Sequence, residues 1–164
     1  MKKNYDDILE SKNQWIKIWK KIFKKCPELK KEMLKLNVLD IGAGFGGSYF
    51  SLNELSQFKH FSWVDPNFLF FEDDIKKHLK PNKKLKIIKK TGNSKNIQYQ
   101  QYQIIIKTFN HWVKWSNIIK KTNNKKKLYL ITSDLIDESY KSLGFQIVTK
   151  FSIEGNNYLL LKNR

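Results

Sequence analysis

The sequence predicts an α/β protein. Its sheet is doubly wound, mostly parallel and seven-stranded, it closes in an antiparallel C-terminal hairpin, and a helical extension precedes it. Three observations carry this. Short apolar runs alternate with amphipathic stretches along most of the chain. The first run, Val38-Leu39-Asp40-Ile41, ends in a turn with glycines at Gly42, Gly44 and Gly46. The last two runs follow one another without a helix, and Gly155-Asn156-Asn157 between them is a hairpin signal.

The elements follow in order. Residues 6–35 have a helical period, with Trp15, Ile16, Ile18, Trp19, Ile22 and Phe23 three to four apart and lysines on the other face. Pro27 splits this stretch into two helices. Residues 37–41 form the first strand, Gly47 to Gln57 a helix, residues 60–64 the second strand, and Asn67 to Leu79 a helix. Pro81-Asn82 marks a turn before the third strand, Leu85 to Ile88. Thr91-Gly92-Asn93-Ser94 reads as a loop, residues 102–106 as the fourth strand, and Asn110 to Lys121 as a helix broken by Asn123-Asn124. Leu128 to Thr132 is the fifth strand, and Asp134 to Leu143 a helix stopped by Gly144. Residues 145–151 and 157–162 are the hairpin strands. The whole chain reads as one domain, residues 1–164, with N-terminal helices over 1–36 and the sheet–helix core over 37–164.

Composition limits the function classes. No apolar run approaches the length of a membrane span, and the acids Asp6, Asp7 and Glu10 after Lys2 and Lys3 do not fit a signal peptide. No membrane partner is expected, and the protein reads as cytoplasmic. Cys26 is the single cysteine, so no internal disulfide and no cysteine-based metal site is expected. Net charge is +17, and 31 of the 32 basic residues are lysine, the exception being Arg164. Lys, Asn and Ile together have the imprint of an AT-rich coding sequence. Whatever its origin, the charge attracts nucleic-acid phosphates, so RNA is the expected partner.

The glycine turn carries the chemistry. Glycines where a strand ends let backbone approach a ligand that side chains would block. Asp65 closes the next apolar run, Phe61-Ser62-Trp63-Val64, and lies 19 residues past Gly46. An acid at about that distance is the usual partner of a ribose diol. Asp65 with Pro66 and Asn67 also suits the start of the following helix, and one carboxylate is able to do both jobs. A dinucleotide or S-adenosylmethionine fits this layout. The dinucleotide fingerprint spaces its glycines Gly-x-Gly-x-x-Gly around a pyrophosphate. Gly-x-Gly-x-Gly after a strand-end acid resembles instead the S-adenosylmethionine-dependent methyltransferases, whose reduced sheet has seven strands.

Three further segments resemble the mRNA cap guanine-N7 methyltransferases. Asn13-Gln14-Trp15-Ile16-Lys17 is similar to that family's Asn-Asn-Trp-Ile-Lys; Gly46-Gly47-Ser48 to its Gly-Gly-Asp, with the acid lost; and Thr108-Phe109-Asn110-His111-Trp112 to its Gln-Phe-x-x-His-Tyr. The resemblance spans roughly residues 12–134 and implies S-adenosylmethionine as cofactor. Lys17, Asp40, Gly42, Ala43, Gly44, Gly46, Asp65, Pro66, Asn93 and Thr108 would then form its site. Asp40 would position the turn and the cofactor amine, and Asn93 would replace the family's usual acid after the third strand. Asn13, Phe109, His111 and Trp112 would border the methyl acceptor. The implied partners are capped RNA and a larger capping or transcription subunit. Signatures of other transfers are missing: Lys107-Thr108-Phe109-Asn110 is not the Pro-Pro motif of exocyclic amine enzymes, Cys26 lies far from a cytosine nucleophile's place, and no Lys-Asp-Lys-Glu set assembles. A methyltransferase-like subunit without activity, stimulating a catalytic partner, is the alternative. Trp15 and Trp19 read as core residues, whereas Trp112 and Trp115 suit either core or stacking on a purine.

Overall fold

The computed structural model describes residues 2–68, 72–78, 82–108, 113–122, 126–133 and 140–164. Helices α1 (Lys2–Lys25) and α2 (Pro27–Glu32) lead into β1 (Asn37–Ile41). The core continues with α3 (Gly47–Leu55), β2 (His60–Val64), α4 (Glu72–His78), β3 (Leu85–Ile88) and β4 (Ile104–Lys107). It ends with α5 (Trp115–Ile119), β5 (Tyr129–Ser133), β6 (Phe145–Ile153) and β7 (Asn156–Asn163). The seven strands form one sheet in the order β3-β2-β1-β4-β5-β7-β6. Strands β1 to β5 pair in parallel, and β7 runs antiparallel between β5 and β6.

Alternation along each strand divides the apolar residues between the two faces. On one face Val38, Phe61, Trp63, Ile104, Ile106, Ile131 and Leu160 meet Trp15, Ile18, Trp19 and Ile22 of α1 and Leu52 of α3. On the other, Leu39, Ile41, Val64, Ile105, Leu130 and Leu161 meet Trp115, Ile118 and Ile119 of α5. The strand order reverses between β1 and β4, where an open α/β sheet leaves a crevice at its carboxyl edge. The register brings those ends level, since Asp40 of β1 pairs with Ile106 of β4.

Helix α1 is part of the core. Trp19 stacks on Phe23 at 5.5 Å between ring centroids, and its indole N–H donates to the Ser48 carbonyl at 3.2 Å. A Cβ on Gly47 would overlap the Ser11 backbone, so glycine there lets α1 and α3 touch. The sequence signal of an N-terminal extension therefore marks a helix bolted to the segment that follows the glycine turn.

Several boundaries differ from expectation for physical reasons. The helix expected over 67–79 is seen as Glu72–His78, because Asp65 to Phe68 form a turn in which Asp65 Oδ1 accepts from the Asn67 N–H at 2.8 Å. The fourth strand starts at Ile104, two residues late, because Tyr99–Gln101 wind a 3₁₀ turn. The helix expected from Asn110 is seen as Trp115–Ile119. The hairpin turn is Glu154-Gly155, earlier than expected, and Ile153 pairs directly with Asn156. Both turn residues have positive φ, 51° and 79°, as a tight two-residue hairpin turn requires. Pro81 of the expected Pro81-Asn82 turn, the helix break at Asn123-Asn124 and the helix start at Asp134 lie outside the described residues. Gly144, the expected helix stop, has φ 82° and its N–H bonds the Lys141 carbonyl.

Candidate functional site

The turn after β1 is held between strands. The Gly42 N–H donates to the Val64 carbonyl at 2.8 Å, and the Gly44 N–H donates to Asp65 Oδ2 at 2.8 Å. Asp65 thus bridges the glycine turn and its own downstream turn with one oxygen each, and it is 6% exposed. Gly42, Gly44 and Gly46 have φ of 75°, 52° and 74°, a region that costs other residues about 1–2 kcal/mol. A Cβ on Gly44 would meet nothing within 4 Å, so the turn leaves open space there.

Two adjoining hollows open at this edge and share Gly42, Pro66 and Asn67. One, about 450 Å³, is a mainly apolar slot whose walls include Val64, Gly92, Asn93 and Val113. The other, about 440 Å³, is more polar and brings Ser11, Gln14 and Trp15 of α1 opposite Gly44, Asp65, Thr108 and Tyr158. Gln14 Nε2 donates to the Tyr158 hydroxyl at 3.4 Å, joining α1 to β7 across the hollow. An apolar slot beside a polar recess suits a ligand with a flat ring at one end and charged groups at the other. Asp65 lies with the polar recess, two oxygens fixed by backbone donors and each retaining a lone pair for a diol. The open space at Gly44 and this donor set fit S-adenosylmethionine, whose adenosine and methionine ends differ in the same way.

Asp40 is placed differently from the expected amine-binding role. It is 3% exposed, and its carboxylate accepts from the Ser48 hydroxyl in the first turn of α3. Burial pushes its pKa up to about 7; the Ser48 bond works against that rise and the charge of Asp65 adds to it. Asp40 therefore fastens the start of α3 beneath the turn. Ser48, where the resembling family has an acid, is the partner that lets a single buried carboxyl sit there.

The structure brings Ala43, Gly42, Gly44, Asp65, Pro66, Asn93 and Thr108 to the cleft. It places Gly46 below the cleft, where a Cβ would overlap the Trp63 ring; the absent side chain here serves packing. Gly47 completes a Gly-x-Gly-x-x-Gly spacing as well, but it serves the approach of α1. Lys17 is exposed and paired with Glu154 in the hairpin turn, Asn13 is exposed on α1, and neither lines the two hollows. Both corrections follow from helical geometry, since Ser11, Gln14 and Trp15 occupy the inward face instead. Phe109, His111 and Trp112 lie outside the described residues. Trp115 is a core residue, 3% exposed, with its indole N–H toward Thr132 Oγ1 at 3.4 Å and Lys107 Nζ 5.2 Å from its ring. Sequence reasoning missed Gln14, Phe45, Val113 and Tyr158 as cleft residues. Gln14 stands inside the quoted Asn-x-Trp-Ile-Lys segment, but no local signal announced Tyr158.

The strand order with β7 antiparallel between β5 and β6, and the glycine turn after β1, give the fold of the S-adenosylmethionine-dependent methyltransferases. No protein-family model matches the sequence, and no curated protein does. Solved structures do match. The candidate methylase HI0767 of Haemophilus influenzae has a TM-score of 0.64 at 14% identity, covering 92% of this chain and 98% of that one. A mutant of MtNAS in complex with S-adenosylmethionine has a TM-score of 0.67 at 11% identity, covering 99% of this chain and 72% of that one. Magnesium protoporphyrin IX methyltransferase of Synechocystis, with the same cofactor bound, has a TM-score of 0.57 at 13% identity, covering 79% and 70%. At these identities the likeness is one of fold. No helix among the described residues is long and apolar enough to cross a membrane.

Proposed function

We propose that this chain is an S-adenosylmethionine-dependent methyltransferase acting on RNA, with the guanine N7 of an mRNA cap as its acceptor. The observation that carries the cofactor reading is Asp65, fixed by two backbone N–H donors beside the open glycine turn and next to an apolar slot. The RNA reading is supported by the net charge of +17. The cap reading is supported by the sequence likeness of the short segments around Trp15 and His111, of which Trp15 and Thr108 line the cleft.

When bound, the cofactor supplies an electrophilic methyl group on a sulfonium leaving group. The chain's own contribution is placement. Gly42 and Gly44 admit close backbone approach, Asp65 offers its carboxylate to a ribose diol, and Val64, Pro66 and Val113 line the slot for a planar ring. Gln14, Trp15, Thr108 and Tyr158 stand on the other side, where an acceptor would enter. A ring nitrogen already carries a lone pair, so alignment supplies most of the acceleration and no general base is required.

A second reading, a methyltransferase-like subunit without activity, is favoured by the acids missing from the resembling pattern: Ser48 stands where the family has an acid, and Asn93 where it has one after the third strand. Incubation with methyl-labelled S-adenosylmethionine and capped RNA, uncapped RNA or free guanosine compounds separates the readings. Label on capped RNA alone supports the cap assignment. Label on both RNAs keeps the RNA assignment and removes the cap. Cofactor binding without label on any acceptor favours the subunit.

A further inference from the structure

Every exposed position of α1 from Lys17 to Lys25 is lysine: Lys17, Lys20, Lys21, Lys24 and Lys25. The intervening residues Ile18, Trp19, Ile22 and Phe23 are buried in the core. The ion pairs of α1 are made by Lys12 with Glu54 and Lys17 with Glu154. Among the described residues, Lys20, Lys21, Lys24 and Lys25 make no ion pair. The same helix lines the cleft through Ser11, Gln14 and Trp15. At 1.5 Å per residue, Lys25 lies about 15 Å along the axis from Trp15, so the row starts near the cleft and leads away from it.

A cationic last turn complements a helix dipole, which accounts for Lys24 and Lys25 but not for Lys20 and Lys21. A protein interface would centre on an exposed aromatic or aliphatic anchor, and this face offers none between Lys17 and Lys25. What the row matches is a polyanion with regularly spaced charges. We infer that Lys20, Lys21, Lys24 and Lys25 form the track on which the phosphates of a single-stranded RNA lie as it leaves the cleft. This rests on the RNA reading above and adds to it where the strand runs.

The test measures binding of a 3′-labelled mixed-sequence single-stranded RNA to the full chain by fluorescence anisotropy, at several salt concentrations. One variant carries Lys20→Gln, Lys21→Gln, Lys24→Gln and Lys25→Gln. A control removes equal charge from the opposite sheet edge, with Lys83→Gln, Lys84→Gln, Lys86→Gln and Lys90→Gln. The α1 variant is expected to bind on the order of a hundredfold more weakly at about 0.1 M salt, with its log–log salt slope flattened by up to about 3. The control is expected to stay within severalfold of wild type. Equal losses in both variants, or an unchanged α1 variant, overturn the track. Wild-type chain that fails to bind RNA overturns the RNA reading itself. Should the quadruple variant melt early, Lys20→Gln with Lys24→Gln provides the same comparison at half the expected slope change.

Discussion

Asp65 does its work through its two carboxylate oxygens, each taken by one backbone N–H, at Gly44 and at Asn67. Replacing it with alanine strands the Gly44 N–H at the cleft and removes the acceptor proposed for the ribose. Charged hydrogen bonds of this kind are worth about 1.5–3 kcal/mol. Asp65→Ala is therefore expected to weaken S-adenosylmethionine binding by about 10- to 100-fold in calorimetric titration, with RNA affinity unchanged. Equal loss of both affinities in a folded variant would contradict the assignment. Asp40 yields a pH prediction. Its folded-state pKa is raised, to about 7, so the folded chain holds a proton that the unfolded chain has already released. Stability from this group therefore falls as pH rises from about 4 to about 7, then levels, by an amount on the order of a few kcal/mol. Asp40→Asn, which keeps an acceptor for Ser48, is expected to gain melting temperature relative to wild type across that window and hold the gain above it. A difference that stays flat with pH would contradict the account. At this scale, Gly42, Gly44 and Asp65 were legible because each is defined by its place relative to a strand end. The roles of Asp40 and Gly46 were not, because burial against Ser48 and Trp63 depends on how α3 and β2 pack. Tyr158 was beyond local reading because its partner Gln14 is 144 residues away.

Among the elements, α1 is the one whose importance the sequence understated. Its apolar stripe was plain, but its attachment to α3 through Trp19, Ser48 and the Gly47–Ser11 contact depends on tertiary approach. Trp19 is fully buried. Trp19→Ala is expected to cost about 3–5 kcal/mol by chemical denaturation and to weaken cofactor binding by loosening the wall that carries Gln14 and Trp15. A cost below about 1 kcal/mol would show that α1 docks without supporting the core. The first three strands stood where the apolar runs placed them; β1 and β2 are central and almost continuously buried, and β3 at the sheet edge keeps the same short run of apolar residues. The hairpin turn shifted because β6 and β7 keep pairing to Ile153 and Asn156, which leaves Glu154 and Gly155 to take the positive φ.

For the whole molecule, the sheet order, the reversal between β1 and β4, and the glycine turn converge on one crevice. The alternation of runs and turns made the doubly wound class legible, and the glycine turn and Asp65 singled out by their spacing both border the crevice. What the sequence placed differently was the side of α1 at the crevice: Asn13 and Lys17 were expected there, and the structure has Ser11, Gln14 and Trp15. The central claim is that this crevice binds S-adenosylmethionine. The most direct measurement is thermal unfolding of the intact chain across a titration of the cofactor. At about 100 times its dissociation constant, a ligand bound only to the folded state adds about 2.7 kcal/mol, a rise of about 5–10 °C for a chain of this size. The account predicts that rise for wild type, with the curve for Asp65→Ala displaced to higher cofactor concentration. A wild-type melting temperature that does not move, even with millimolar cofactor, would contradict it.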